Sequence, residues 1–334
     1  MKPSSILFFV GVCVISIAMV ASAETEAVGD CRPKLVSYPT ISAAVAAVPS
    51  GSTVLVCPGT YPEAVTITTP LTLQGLTQIA GTRSVYVRSI TVQQTGPVNI
   101  SNMVIGQSGA AGWVLAYTGA EGTVEGVDVR GGGIGIVGDG VTLGSNVTVR
   151  NSSVSGAGIY ASGPVGGEST LDLKSNWIAY TGAGNAIDYE SDSSGLIENN
   201  TILLPGGTTT GIVLDYFFGT VTVSGNTIIG ANVGITLYST EAPATITGNH
   251  IFNSGTGILD DQEGGTSVID SNTIAQSNTV AINFVVCNDG NDYTYEHNTI
   301  VDAPIGIENE GRGDISSGNA FYNVATPTTT CTAP

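Results

Sequence analysis

Carboxylates recur at a fixed place within a repeated segment of this 334-residue chain, and paired carboxylates are the groups here that could do acid–base chemistry. Six segments open with Ala or Gly followed by Ile: Ala186-Ile187, Gly211-Ile212, Gly234-Ile235, Gly257-Ile258, Ala281-Ile282 and Gly306-Ile307. If each Ile faces a core, the period of a strand turns the next residue outward, the one after inward and the third outward. One outward row is then Asp188, Val213, Thr236, Leu259, Asn283 and Glu308, and the other Glu190, Asp215, Tyr238, Asp261, Val285 and Glu310. Stacked strands lie about 4.8 Å apart. Glu190 and Asp215 would therefore stand roughly 5 Å apart, a retaining-glycosidase spacing, and Asp215 and Asp261 roughly 10 Å apart, the upper end for an inverting pair. Asp215, Asp261 and Glu190 are the candidate catalytic residues, and Asp188, Tyr238 and Asp260 the candidate substrate contacts. Tyr216 and Phe217 add aromatic surface for a sugar ring. The same acids also read as solvated face residues, which an acidic chain must place somewhere.

The element that would position these rows is a degenerate repeat of an apolar residue, an Asn three positions on and a second apolar residue. It runs Ile197-Glu198-Asn199-Asn200-Thr201-Ile202, then through Asn226, Asn249 and Asn272 to Tyr295-Glu296-His297-Asn298-Thr299-Ile300. The leading positions 197, 223, 246, 269 and 295 are separated by 26, 23, 23 and 26 residues, and weaker copies begin at Leu73, Ile100, Val124, Val149 and Leu173. A unit this short is one rung of a solenoid. With 45 Gly and abundant Val, Ile and Thr, the rung is short strands joined by turns, at least two per rung, and successive rungs pair in parallel. The expected fold is all-β, a parallel β-helix. Asn200, Asn226, Asn249, Asn272 and Asn298 are expected at a corner, in left-handed backbone, hydrogen-bonded to the Asn above and below. Such a ladder also accounts for the sequons at Asn99, Asn146, Asn151 and Asn199 without glycosylation.

Thr40 and the apolar face Ile41, Ala44, Val45 and Val48, stopped by Pro49, predict a short helix that caps the open end of the stack. Residues 1–23 read as a secretory signal, with the apolar run Ile6 to Val20 ending in Ala21-Ser22-Ala23. A spanning helix needs about 20 apolar residues, so no membrane span is expected after its removal, and the location is secreted or periplasmic. Residues 24–50 form the N-terminal segment and cap, 51–323 the β-helix, and 324–334 an irregular Pro/Thr-rich tail. Apart from Cys13 in the signal, four cysteines remain. They favour disulfides in an exported chain, with Cys31–Cys57 and Cys287–Cys331 the preferred of three possible pairings. No C-x-x-C occurs and only His250 and His297 are present, which argues against zinc. Ca²⁺ is the one cofactor suggested, by the oxygen-rich run Asn288-Asp289-Gly290-Asn291-Asp292, which lacks the twelve-residue calcium-loop spacing. The formal charge of −18 excludes nucleic acid as partner.

The runs Thr40 to Val45, Pro49 to Val56, Pro58 to Ile67 and Leu71 to Gly75 resemble the opening of right-handed parallel β-helix proteins of the pectate-lyase-like superfamily. With the downstream Asn repeats the resemblance covers nearly all of the mature chain. It implies the fold, whereas the activities of that superfamily range from lyases, esterases and hydrolases to noncatalytic proteins. The Asp-Phe-Ile-Phe-Gly and Leu-Gly-Arg-Pro-Trp segments of pectin methylesterases have no counterpart here. Asp260-Asp261 matches the Asp-Asp pair of polygalacturonases, whose Gly-His-Gly and Arg-Ile-Lys elements are absent. The expected function is binding and processing of extracellular polysaccharide; the alternative is a noncatalytic structural or interaction solenoid. Oligomeric state is not legible in the sequence.

Overall fold

The computed structural model describes residues 22–77, 84–110, 112–164, 167–182, 184–206, 209–215, 219–238, 243–261, 267–285, 293–310 and 315–330. These residues form the expected parallel β-helix, but each turn carries three strands. The first sheet has 14 strands and contains the apolar residue that precedes each corner Asn. Its parallel registers align Val54, Leu73, Ile100, Val124, Val149, Leu173, Ile197, Val223, Ile246, Ile269 and Tyr295 in one inward column. The weak copies are therefore true rungs in the same phase as the strong ones. The second sheet holds the short strands after the Asn, such as Thr227–Ile229, and the third holds the Gly-Ile strands, such as Val233–Tyr238. Long strands such as Gly59–Ile67 and Thr299–Glu310 run around the corner and join the second and third sheets.

The corner between the first and second sheets is held by seven asparagines, Asn176, Asn200, Asn226, Asn249, Asn272, Asn298 and Asn319. From Asn176 to Asn298, each side-chain amide donates to Oδ1 of the Asn one rung on at 2.9–3.1 Å. The backbone N–H of the same residue donates to that same oxygen at 2.9–3.0 Å. The amides also cap backbone carbonyls, Asn249 that of Val223 at 2.9 Å. Left-handed backbone falls one residue earlier than the sequence suggested, at Ser175, Asn199, Gly225, Gly248, Ser271, His297 and Gly318, with φ between 54° and 67°. The physical reason is that the preceding residue makes the bend, leaving the ladder Asn free to aim its amide along the stack.

Tyrosines from the third sheet cross the interior and donate to backbone carbonyls of the first. The pairing of Ser169–Lys174 with Ser193–Glu198 runs Thr170↔Ser194 and then Leu173↔Ile197, skipping Leu171. The Leu171 carbonyl accepts instead from the buried Tyr189 hydroxyl at 2.6 Å, and the Val98 carbonyl likewise accepts from Tyr117 at 2.9 Å. A buried carbonyl left without such a donor would cost about 1–3 kcal/mol.

The helix α1 (Ile41–Ala47) is capped by Thr40, whose side chain accepts from Ala43 N–H at 3.1 Å. The Glu63 carboxylate accepts from the N–H groups of Ile41 and Ser42 at 2.8 and 2.9 Å, and so ties the cap to the first long strand. Ile41, Ala44 and Val45 bury their side chains. The sheet begins before this helix, because Thr25–Val28 pairs with Ser52–Val56. Cys31 and Cys57 are joined, their Cα atoms 5.7 Å apart. The expected irregular tail is instead a strand, Ala320–Thr330, paired to Thr299–Glu310 as far as Thr330, so the β-helix extends past residue 323. The apolar run Ile6 to Val20, Cys13, Cys287, Cys331, Tyr216, Phe217 and the run Asn288 to Asp292 lie outside the described residues. No helix among the described residues is long and apolar enough to cross a membrane.

Replacing Asn249 by Ala removes hydrogen bonds to both neighbouring rungs and leaves buried amides and carbonyls unpaired, for an expected loss of about 3–5 kcal/mol. Asn319→Ala, at the last rung, should cost less than half of that, since it has one neighbour in the ladder rather than two. Urea unfolding followed by far-ultraviolet circular dichroism separates the two outcomes; equal losses would mean the ladder is not cooperative.

Candidate functional site

The third sheet places the candidate acids as their phase requires, with one exception. Register aligns Glu190 with Asp215, Asp215 with Tyr238 and Tyr238 with Asp261 in one outward column. Asp188 heads the neighbouring outward column beside Val213, Thr236, Leu259 and Asn283. Asp260 does not belong to this face. It is 2% exposed, sits in the inward column between Leu237 and Phe284, and accepts a hydrogen bond from Ser267 Oγ at 2.5 Å. A substrate on the outer surface cannot reach it, and the expectation of a substrate contact at Asp260 is corrected accordingly.

The same outward column extends upstream from Asp188 to Tyr160 and Gly135. Trp113 lies across Gly135, where an added Cβ would come within 2.3 Å of the indole, so only glycine lets the ring lie flat on the sheet. The indole stacks on Tyr160 with centroids 5.4 Å apart and planes at 21°. Together with Tyr180, Asn185 and Asp188 these rings line a cleft of about 310 Å³. A wider groove of about 710 Å³, reaching Arg130, shares Ala157 and Tyr180 with it. Trp113 is 49% exposed and presents an open face to solvent.

Asp188 lines the cleft, and Glu190 and Asp215 lie beside it on the same face. The Tyr160 hydroxyl donates to Glu190 Oε2 at 2.7 Å, and the Asn185 amide donates to Asp188 Oδ2 at 2.9 Å. The other oxygen of Asp188 and one of Asp215 are occluded and accept no hydrogen bond from the described residues. Burial pushes the Asp188 carboxyl up to about 6; the Asn185 hydrogen bond opposes this, and the charges of Glu190 and Asp215 add to it. Asp215 is also raised, by burial first and by Glu190 second. The Tyr160 hydroxyl is pushed up to about 12, chiefly by burial and then by its bond to Glu190. Asp188 is thus a carboxyl that titrates at about 6, beside acids on the same face, a shift toward the range in which general acid–base groups work.

The sequence reading missed Trp113, Tyr160, Tyr180 and Asn185. The signal was present, because Gly133-Ile134 and Gly158-Ile159 continue the Gly-Ile pattern and their registers align Ile134, Ile159 and Ile187. Among the described residues no group of His, Cys, Asp and Glu is arranged to hold a metal ion.

These features define a parallel β-helix scaffold with an aromatic and acidic cleft, and sequence comparison agrees on the scaffold. The family model for the right handed beta helix region matches residues 88–258, over half of the chain, and the chain belongs to that family. Residues 207–329 also match the model of a periplasmic copper-binding protein (NosD). Among the described residues of that span, which leave out Cys287, no group of donors is arranged to hold copper. The span contains no Met; His250 lies against Phe252 with ring centroids 6.3 Å apart, and His297 Nδ1 bonds Asp270 Oδ1 at 2.9 Å. No curated protein matches the chain. Among solved structures, it resembles PfbA, a surface adhesin of Streptococcus pneumoniae, at 13% identity and TM-score 0.53, covering 86% of this chain and 85% of that one. The catalytic unit of a GH87 alpha-1,3-glucanase from Streptomyces thermodiastaticus matches at 16% and 0.53, covering 85% and 65%. An exopolygalacturonase from Thermotoga maritima matches at 12% and 0.50, covering 80% and 84%. At these identities the likeness establishes the fold.

A carboxyl whose folded value is raised favours the folded state while protonated. Its contribution is complete below the unfolded value near 3.8 and is lost as pH rises through about 6. Asp188→Asn should therefore melt above the wild type at pH 7.5, and the advantage should shrink toward pH 4.5. Scanning calorimetry at the two pH values checks this, and a constant difference would rule out the raised acid.

Proposed function

We propose that the protein is exported and binds neutral extracellular polysaccharide along the third sheet, with Trp113 and Tyr160 as the stacking platform and Asp188, Glu190 and Asp215 as the polar groups beneath the sugar. The observation that carries the reading is the Trp113–Tyr160 stack set directly against Asp188 in one cleft. Aromatic faces take the apolar face of a pyranose, while carboxylates accept from its hydroxyls. The rung spacing of about 4.8 Å allows neighbouring sugars to meet successive rungs. Asp261 and Tyr238 extend the surface two rungs further. Neutral glycans fit because the acids gathered here repel polyanions. Asp188 is the general acid of a hydrolytic step, with Asp215 on the next rung or Glu190 on the same strand as the partner carboxylate. The glucanase and exopolygalacturonase named above support this reading by showing that similar scaffolds carry glycan chemistry. The Cys31–Cys57 disulfide and the periplasmic character of the second family model support export.

Affinity electrophoresis in gels containing β-glucan, α-1,3-glucan, xylan or polygalacturonate tests the binding. Retardation by a neutral polymer is expected, with about a tenfold weakening in Trp113→Ala. Reducing-sugar release, lost in Asp188→Asn while retardation persists, would establish hydrolysis. Retardation without product would leave a noncatalytic binding solenoid, and no retardation by any neutral polymer would overturn the proposal.

A further inference from the structure

Charge is distributed unevenly along this acidic solenoid. Residues 175–334 contain 17 Asp and Glu and a single base, Arg312, whereas residues 31–120 contain Arg32, Lys34, Arg83 and Arg88 against a single acid, Glu63. Glu63 is engaged at the start of α1. Further along, the bases Arg130, Arg150 and Lys174 carry carboxylate partners at 2.5, 2.8 and 3.0 Å. Among the described residues, Arg32 and Arg88 form no ion pair.

These two arginines line neighbouring clefts. One of about 290 Å³ is walled by Thr60, Tyr61, Tyr86, Arg88 and Gln107. The other, of about 400 Å³, is walled by Tyr61, Arg32, Asp30 and the Cys31–Cys57 disulfide. Tyr61 is common to both, and its hydroxyl is fixed by donating to the Cys57 carbonyl at 2.8 Å. Tyr86 stands 42% exposed beside Arg88. We propose that this N-terminal groove is a second binding site, separate from the acidic cleft of the third sheet, and that it takes a small saccharide bearing a carboxylate or sulfate.

The chemistry of the walls selects that class. A guanidinium presents paired N–H donors that match the oxygens of a carboxylate or sulfate, and an ion pair is strongest where no protein carboxylate already occupies it. The exposed Tyr86 ring offers an apolar face to a sugar, and the Gln107 amide both donates and accepts for its hydroxyls. The ligand is small because a long polyanion would run into the field of the 17 acids beyond residue 175. Arg88 is exposed, so its charge can be removed without opening the core.

Isothermal titration of the full chain with digalacturonate, galactose 6-sulfate and cellobiose tests the site. Binding of either anionic sugar and none of cellobiose is expected; the tighter of the two identifies the anion. Arg88→Gln should weaken binding about tenfold, and raising the salt from 20 to 200 mM should weaken it several-fold, with salt screening the contact. Asp188→Asn should leave it unchanged. No heat with either anionic sugar, equal affinity in Arg88→Gln, or a loss as large in Asp188→Asn as in Arg88→Gln would each overturn the proposal. Far-ultraviolet circular dichroism of Arg88→Gln excludes unfolding as the cause of a loss.

Discussion

The buried amide ladder at the first corner is the interaction on which the rest of the molecule depends. Each ladder side chain satisfies its own rung and the next one, so neither can slip by a residue without stranding several buried polar groups. Because that corner fixes the phase of the first sheet, it also fixes where each later strand of the turn begins. The inward isoleucines of the third sheet, and the outward residues that alternate with them, inherit their alignment from it. Every lateral row on the surface is in this sense a consequence of a polar contact in the interior.

That inheritance explains how acids can be held against one another. In a globular surface, carboxylates one strand apart would drift away from their repulsion; here the stacking sets their separation, and the chain has no local freedom to relax it. Burial is the larger effect on Asp188 and this repulsion adds to it, so the carboxyl keeps its proton to a higher pH than an ordinary carboxylate. Tyr160 contributes from the next rung by donating to Glu190, and Trp113 closes the upstream side by lying over a position with no side chain. The cleft is thus assembled from four successive turns, none of which contains it alone.

The repeat, the parallel stacking, the capping helix and the first disulfide were legible because each rests on local chemistry: apolar spacing, Thr40 and Pro49 as punctuation, and cysteines near one end. The alternation along the third sheet was legible for the same reason, and it located Glu190, Asp215, Tyr238 and Asp261 correctly on one face. Asp260 was misplaced because the period of two, which sets its neighbour Asp261 outward, turns it inward. Trp113 and Tyr160 escaped because the glycine-rich stretch from Gly131 to Gly144 blurs the repeat, and a ring lying across a neighbouring strand leaves no trace in the spacing of its own. The left-handed corner residue was off by one because Asn favours both the bend and the ladder, and only the backbone separates the two roles. The strand Ala320–Thr330 escaped because Pro and Thr read as irregular locally, whereas pairing to the preceding rung is a tertiary fact.

The position of the indoles has a practical corollary for optical work. The chain has two tryptophans, Trp113 and Trp177, and they are 49% and 45% exposed in the folded protein. Both rings already meet water, so their emission is expected to shift less on melting than that of a fully buried indole. The largest buried side chains are three tyrosines, Tyr117, Tyr189 and Tyr295, followed by Phe284, so the chiral near-ultraviolet bands of phenol report on folding. Indole fluorescence in this molecule reports more on what rests against its surface than on whether the chain is folded.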